Sequence, residues 1–594
     1  MSSNIFSLSG DVSFREDIFS FKLLKNQTQS PHHIFPLEDQ YLVLGDAGTS
    51  LQIPVTRSPQ GVPDSVNQLE QQLQRFPCLR RLDLSDSQNL MQTPDFSGMP
   101  NLEHLYLLSC KSLKEVHHSL GNCRKLIQLY LYNYESLGRF PCVSGESLEY
   151  LNLEFCSSLE IFPEVMGKVK PSSIEYLTQG ELHLGNMENL VALPSSICKL
   201  KCLVKLDMSY CFKVESLPEE IGNLENLEEL DARQTLISRP PSSIIRLKKL
   251  KFLSFEKNKM KPCSIEYLTQ GVLFVFPRVN EGLRSLEILN LSFCNLIDGG
   301  LQEDIGCLHS LEELTLSGNN FEYFPQSIAQ LSALRFLGLS HCKKINFELI
   351  VGMKNLEALN LSYCNLIDGE LPDDIGCLSS LKELDLSGNN FEHLPRGIAQ
   401  LGALRCLDLS HCKRLTRLLE FPVLLDTIEA DWTNYWICNS LFQNISLVQH
   451  DISASDSLSL RVITGRRWHG MPMFPYQGID GVSVNLPENG YIHDSFLGFA
   501  VCYHGTLMDI TAHLISSSDD DGVSCITRKL VLSNHSKYTL ELPGIHFFLI
   551  PFAGLWDLSN ANGKTPNDYR HIMLSFSEKK EYEFHLLYKD EPTV

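Results

Sequence analysis

LEILNLSFCNLIDGGLQEDIGCLHSLEELTLSGN, residues 286–319, decides the reading of the whole chain, because it holds one phrase twice: L-x-x-L-x-L, from Leu286 and again from Leu311. Inside the phrase, Leu314-Thr315-Leu316 alternates apolar and polar residues with period two. That is the pattern of a half-buried strand, leucines inward and the intervening residues outward. The same phrase begins at Leu79, Leu102, Leu126, Leu148, Leu203, Leu227, Leu250, Leu334, Leu356, Leu381 and Leu404, and a degenerate copy holds Leu182 and Leu184, which makes fourteen repeats. Most spacings are 22 to 25 residues, the length at which one repeat forms a strand, a turn and a short return. A second signature marks the return: Leu193-Pro194 with Ile197 and Leu200, Leu217-Pro218 with Ile221 and Leu224, and Leu394-Pro395 with Ile398 and Leu401. Proline opens a return turn well, since its φ is fixed and it has no N–H to leave unpaired. The predicted fold is therefore an α/β leucine-rich-repeat solenoid, with a parallel concave sheet and short helical or 3-10 returns.

No repeat can bury its own leucines, so the array is expected to fold only as an array. A shortened copy at Leu425-x-x-Ile428-x-Ala430 reads as its end. Two features record how it grew. The phrase at residue 286 recurs at residue 356 (LEALNLSYCNLIDGE), a tandem duplication, and KPSSIEYLTQG at 170–180 is nearly repeated as KPCSIEYLTQG at 261–271. The latter pair reads as inserted loops that leave the core intact.

Beyond about residue 433 the leucine period stops and short alternating runs begin, among them Tyr538-Leu540-Leu542, Ile572-Leu574-Phe576 and Tyr582-Phe584-Leu586-Tyr588. These predict an all-β sandwich domain. The expected organisation is an unassigned segment 1–60, a solenoid over 61–432 and a β-sandwich over 433–594.

A formal charge of −21 and the absence of a basic stripe argue against nucleic acid as the ligand, and no apolar run is long enough for a membrane span. Nineteen cysteines could suggest a disulfide framework, but the first residues lack the basic and apolar parts of a secretory signal, so reduced thiols are expected. Seven of them share one place, three residues past the last strand leucine: Cys110, Cys156, Cys211, Cys294, Cys342, Cys364 and Cys412, with Asn319 and Asn389 filling it elsewhere. They are expected to turn inward and bond to neighbouring backbone.

Chemistry has no visible home. Gly563-Lys564-Thr565 has Leu558 where a phosphate-binding loop needs its first glycine, and no H-E-x-x-H, G-x-S-x-G or C-x-x-C occurs. His117-His118 reads as a surface pair, and Asp519-Asp520-Asp521 as a solvated loop. The chain is read as no enzyme, with no cofactor and no metal. Binding is expected instead on the concave face, which at about 4.8 Å per strand runs on the order of 60 Å and can supply the ~800 Å² per partner of a standard interface. Its outward positions are read as carrying Tyr106, Tyr130, Tyr132, Tyr150, Phe155, Tyr210, Phe252, Phe293, Phe336 and Tyr363 among acids such as Glu149, Glu228, Glu229, Asp231, Glu312, Glu313, Glu383 and Asp385. Aromatic anchors in a polar surround resemble an interface hot spot.

LDLSDSQNLMQTPDFSGMPNLEHL (82–105), the L-P-x-x-I-x-x-L returns, HDISASDSLSL (450–460) and VSVNLPENGYIHDSFLGFAVCY (482–503) closely resemble plant TIR-NB-LRR disease-resistance receptors over roughly residues 75–594. The segment 466–477 (RRWHGMPMFPYQ) departs from the Ile-Pro-x-Trp-Phe phrase of similar proteins. The resemblance implies a recognition module that binds a pathogen effector or a partner immune receptor in the cytoplasm or nucleus, through the repeats and a jelly-roll-like C-terminal domain. It does not carry over a nucleotide switch or TIR chemistry, whose domains are absent from these residues. The alternative reading is a free-standing structural or inhibitory leucine-rich-repeat protein that binds a microbial enzyme or a partner receptor.

Overall fold

The computed structural model describes residues 77–166, 180–257 and 272–416 apart from isolated positions, two short strands before them (Phe21–Lys22 and Tyr41–Leu44), and almost only the strands from residue 427 onward. The chain divides into two compact units, residues 1–313 and 314–594, each taken here by itself. No helix among the described residues is long and apolar enough to cross a membrane.

In the first unit the predicted strands form one parallel ladder: Arg81–Asp83, His104–Leu108, Gln128–Tyr132, Tyr150–Asn152, Gly180–His183, Leu203–Asp207, Glu229–Asp231, Phe252–Ser254 and Ile288–Asn290, each hydrogen-bonded to the next. Their register aligns Leu82, Leu105, Leu129, Leu151, Leu182, Leu206, Leu230, Leu253 and Leu289 in one inward file, all buried. The degenerate copy is thus a full member of the ladder. The ladder also starts earlier than the leucine pattern does: Tyr41–Leu44, inside the segment left unassigned, pairs in parallel with Arg81–Asp83.

In the second unit Phe336–Gly338, Ala358–Asn360, Glu383–Asp385, Cys406–Leu409 and Thr427–Ala430 repeat the arrangement. The shortened copy at 425–430 does not end it. Leu460–Thr464 pairs in parallel with Thr427–Ala430 and antiparallel, on its other edge, with Gly544–Pro551, so a C-terminal strand is the next rung. A backbone edge left unpaired would invite another chain, and this junction covers it. From there every described element is a strand. One antiparallel set runs Leu460–Thr464, Gly544–Pro551, Phe496–Gly505, Tyr582–Tyr588, Tyr476–Gly478; a second runs Gly481–Asn485, Tyr569–Phe576, Ile510–Ser516, Cys525–Leu530. The 538–542 run, the twin segments 170–179 and 261–271, and most of 466–477 lie outside the described residues.

Among the described residues the returns are 3-10 turns, apart from an α-helical turn at Phe347–Ile350. Pro194, Pro241, Pro325, Pro372 and Pro395 each stand immediately before one, in extended or near-extended conformation. The isoleucine of the signature lies on the inner side, as Ile197, Ile221 and Ile398 do. Each buried leucine or isoleucine contributes ~1.5–3 kcal/mol, and each is buried against its neighbours in the stack.

All seven predicted cysteines are buried thiols outside any disulfide, directed at the carbonyl of the last inward leucine or phenylalanine one repeat back, as in Cys110 Sγ to Leu84 O at 3.0 Å, Cys211 to Leu184 O at 3.1 Å, Cys294 to Phe255 O at 3.2 Å and Cys364 to Leu339 O at 3.2 Å. Burial pushes the thiols of Cys156, Cys211, Cys294 and Cys364 up to about 12, so they stay protonated donors. Asn389 does more in the same place: Nδ2 donates to Leu361 O (2.9 Å) and Leu386 O (2.8 Å), and Oδ1 accepts from Leu366 N (3.0 Å). Tyr134 fills it in one repeat, fully buried, its hydroxyl donating to Leu107 O and accepting from Cys110 N. Spacing alone could have found Tyr134, since it too stands three past a strand leucine, but tyrosine is a rare occupant of such a slot.

Candidate functional site

Each strand presents two outward residues, one either side of its central leucine, and register places them in two files. In the second file a single device recurs. Asp83, Asn152, Asp207, Asp231, Asn290, Asn360, Asp385 and Asp408 accept, through Oδ1, the backbone N–H two residues on, at 2.8–3.1 Å. This Asx turn ends the strand and starts the bend toward the inward cysteine. Asp231 and Asp385, read from sequence as part of an acidic binding face, are therefore turn-formers first.

Tyr106, Tyr130 and His183 stand at the same register position without supplying that bond. The N–H that Tyr106 leaves uncapped, on Leu108, donates to Ser85 Oγ of the preceding repeat at 3.1 Å. Together with Tyr150 and His104 of the first file, these side chains make one continuous aromatic surface across four strands. Ring centroids are 6.5 Å apart for His104–Tyr106, 5.0 Å for Tyr106–Tyr130, 4.5 Å for Tyr130–Tyr150 and 5.4 Å for Tyr150–His183. Gln128 Oε1 lies 3.0 Å from His104 Nδ1 and accepts from the Tyr106 hydroxyl at 3.4 Å. All are half-buried. Burial raises the phenol pKa of Tyr106, Tyr130 and Tyr150, and for Tyr150 the nearby Glu181 and Glu154 add to it, so the hydroxyls remain neutral.

The aromatic row ends in carboxylates. His183 Nε2 is 2.9 Å from Glu181 Oε2 and Nδ1 is 3.5 Å from Glu154 Oε1. Glu154, His183 and Asp207, one from each of three successive repeats, offer atoms within 4.8 Å of one another and are the single group among the described residues that could approach a metal ion together. The basic residues nearby are engaged: Lys205 Nζ with Glu229 at 3.0 Å, and Arg233 with Asp231, Nε to Oδ2 at 2.7 Å.

The other residues singled out in the sequence fall elsewhere. Phe155, Tyr210, Phe293 and Tyr363 are not on strands; each occupies the left-handed turn just before the inward cysteine, at φ between 54° and 61°. The alternation of a strand predicts outward placement only while the strand lasts, and the chain has already turned. Three of these turns are held by the next repeat, whose turn carbonyl accepts the aromatic residue's N–H: Phe155 to Gly185 O at 2.9 Å, Tyr210 to Arg233 O at 2.9 Å, Tyr363 to Ser387 O at 2.7 Å. The strain of a bulky residue at positive φ is tolerated where neighbours fix the backbone in this way. In the second unit these turns carry their own exposed stack, His341–Tyr363 at 5.0 Å and Tyr363–His411 at 6.3 Å. Gly388 lies beneath it: φ is +68°, and a Cβ there would meet the Tyr363 ring at 2.4 Å. Tyr132, at the exit of its strand, packs edge-on against Phe155 at 5.3 Å. Phe252 and Phe336 are outward in the first file, as is Glu229, which pairs with Lys205; Glu313 also lies on a strand. Glu228 and Glu312 precede their strands, Glu228 holding Lys251 at 2.6 Å. His117 and His118, read as a surface pair, lie with tilted rings 4.3 Å apart, and His117 caps the following 3-10 turn through Ser119.

The parallel ladder, the 3-10 returns and the inward cysteine and asparagine slots define a leucine-rich-repeat protein. Leucine-rich-repeat profiles match residues 282–303, 310–331, 355–378 and 380–401, and the C-JID domain profile matches residues 472–593. The TMV resistance protein N of Nicotiana glutinosa is 46% identical over 588 residues, covering 89% of this chain and 44% of that protein. The Disease resistance-like protein DSC1 of Arabidopsis thaliana is 33% identical over 306 residues, 49% of this chain and 24% of that protein. The chain belongs with the plant disease-resistance proteins and matches the leucine-rich-repeat and C-JID portion of TIR-NB-LRR receptors. It spans less than half the length of these relatives.

Proposed function

We propose that this chain is the recognition portion of a plant disease-resistance receptor acting inside the cell, and that the open sheet face around Tyr106, Tyr130, Tyr150 and His183 binds a pathogen effector protein. The observation that carries the reading is the departure of Tyr106, Tyr130 and His183 from the Asx-turn rule. A framework position has been given to large amphipathic rings, which are the side chains that dominate protein interfaces. The disease-resistance relatives supply the biological setting, and the acidic charge and the open sheet point to protein as the ligand.

The test is a binding assay of the purified chain against the effectors of a pathogen that the parent plant resists, with Tyr106→Ala/Tyr130→Ala beside it. An effector bound by the chain and lost by at least about thirtyfold in the double variant is the expected outcome, two anchors at ~1 kcal/mol or more each. An effector that binds both proteins equally overturns the assignment to this face.

A further inference from the structure

We propose that strand Leu460–Thr464 is a link that makes the last repeats and the C-terminal strands one cooperative unit, so that stabilising or disrupting either is felt by the other. Within the second unit this strand has two different partners. On one edge it pairs in parallel with Thr427–Ala430, placing Thr427 opposite Arg461, Ile428 opposite Val462 and Glu429 opposite Ile463. On the other it pairs antiparallel with Gly544–Pro551, from Leu460 opposite Leu549 to Thr464 opposite Ile545. Strand pairing therefore runs unbroken from Phe336–Gly338 through this strand to Gly544–Pro551, Phe496–Gly505 and Tyr582–Tyr588. The other antiparallel set, from Gly481–Asn485 to Cys525–Leu530, is a separate sheet.

Both sides depend on the shared strand. A repeat draws its stability from its neighbours, and an array is weakest at an unsupported end. Thr427–Ala430 has Cys406–Leu409 on one edge and Leu460–Thr464 on the other; without the second it is an open edge on a shortened repeat. The shared strand is local to neither partner. Neither pairing is a tight hairpin, so each must offset the entropy of closing a long loop, which a two-stranded contact does poorly alone. The C-terminal strands accordingly serve as the end cap of the array. By linkage, a ligand that stabilises those strands also stabilises Thr427–Ala430 and Cys406–Leu409, and one seated on the last repeats stabilises the C-terminal strands.

Native-state hydrogen exchange of the full chain, read by mass spectrometry at rising urea, tests the link. Amides of Thr427–Ala430, Leu460–Thr464 and Gly544–Pro551 should open together and with one urea slope. Two variants then give the direction of the effect. Phe547→Pro and Phe548→Pro remove consecutive N–H donors, which in a strand point to opposite edges, so one of the two cuts the ladder to Leu460–Thr464 and the other the ladder to Phe496–Gly505. In the variant that frees the shared strand, exchange in Thr427–Ala430 should be at least about tenfold faster, with Gly180–His183 in the first unit unchanged. Thr427–Ala430 still protected at urea concentrations where Gly544–Pro551 has exchanged overturns the proposal. So does protection there that is indifferent to both variants while Gly544–Pro551 is exposed, which would leave the shared strand a passive cover. Loss that extends to Gly180–His183 is global unfolding of the variant, and the urea series on the unaltered chain then decides.

Discussion

The same register position does different work in the two units. In the second unit it holds Gly338, which has no side chain to close a turn, and then Asn360, Asp385 and Asp408, whose Oδ1 atoms close Asx turns onto Ser362, Ser387 and Ser410. In the first unit it holds Tyr106 and Tyr130 on consecutive strands and His183 two strands on, none closing such a turn, while Asp83, Asn152 and Asp207 between and beside them do. A repeat protein carries its own control experiment in this way. Where a residue type recurs because the turn requires it, polarity at the surface reports framework; where an aromatic replaces it, the framework has been given up locally and the side chain is available for something else.

The largest expected effect lies on the framework side. Asn389→Ala removes three buried backbone hydrogen bonds of 2.8–3.0 Å at one stroke. Unsatisfied buried groups cost ~1–3 kcal/mol each, so a loss of roughly 3 kcal/mol is expected, read as a shift of the urea midpoint. A loss below about 1 kcal/mol would mean that the inward slot is not structural. Tyr130→Ala should show the opposite profile: binding weakened about tenfold, with less than about 1 kcal/mol lost in stability because the ring is only half-buried. Equal effects on both would erase the distinction between the two kinds of position.

The acidic file can be tested by pH. Asp408 is pushed up to about 8, first by burial and then by Asp385 and Glu429 beside it, and burial raises Asp385 as well. An acid whose folded pKa is raised keeps its proton in the native state while the unfolded chain loses it near pH 4, so its contribution to stability declines as pH rises from about 4 to about 8. Asp408→Asn keeps the acceptor for Ser410 N–H and removes the charge, as Asn360 does two strands earlier. The variant should match the parent near pH 4 and exceed it by roughly 2–4 °C in Tm at pH 8.5. A difference that is constant with pH would show that Asp408 is ionised throughout.

Much of this was legible in the sequence. Leucine phase located nearly every strand of the parallel ladder, and the cysteine spacing located the inward hydrogen bonds, because both follow from a period that each repeat must satisfy. What was not legible depended on where the period stops. Phe155, Tyr210, Phe293 and Tyr363 lie one step beyond the strand, at positive φ, where alternation no longer reports facing. The rung at Leu460–Thr464 was missed because it pairs in parallel on one edge and antiparallel on the other, so it belongs to neither the leucine period nor an isolated hairpin. The Asx rule was in the text as L-[ND]-L-S, but Asp231 and Asp385 were read as charge before being read as acceptors.

That rule supplies the smallest and sharpest test. Tyr130→Asn places an Asx residue back in a register position flanked by Tyr106 and Asn152. If the aromatic is there at the framework's expense, the asparagine should recover a turn bond that Tyr130→Ala does not, and the two variants should differ by about 0.5–1 kcal/mol in favour of asparagine, the usual net worth of one such hydrogen bond. Both should bind the partner equally poorly, since neither has a ring. The comparison isolates the turn from the interface because the lost aromatic surface is common to the pair. Identical stabilities would mean that the bend after Tyr130 needs no cap, and the argument from departure to function would then rest on the aromatic row alone.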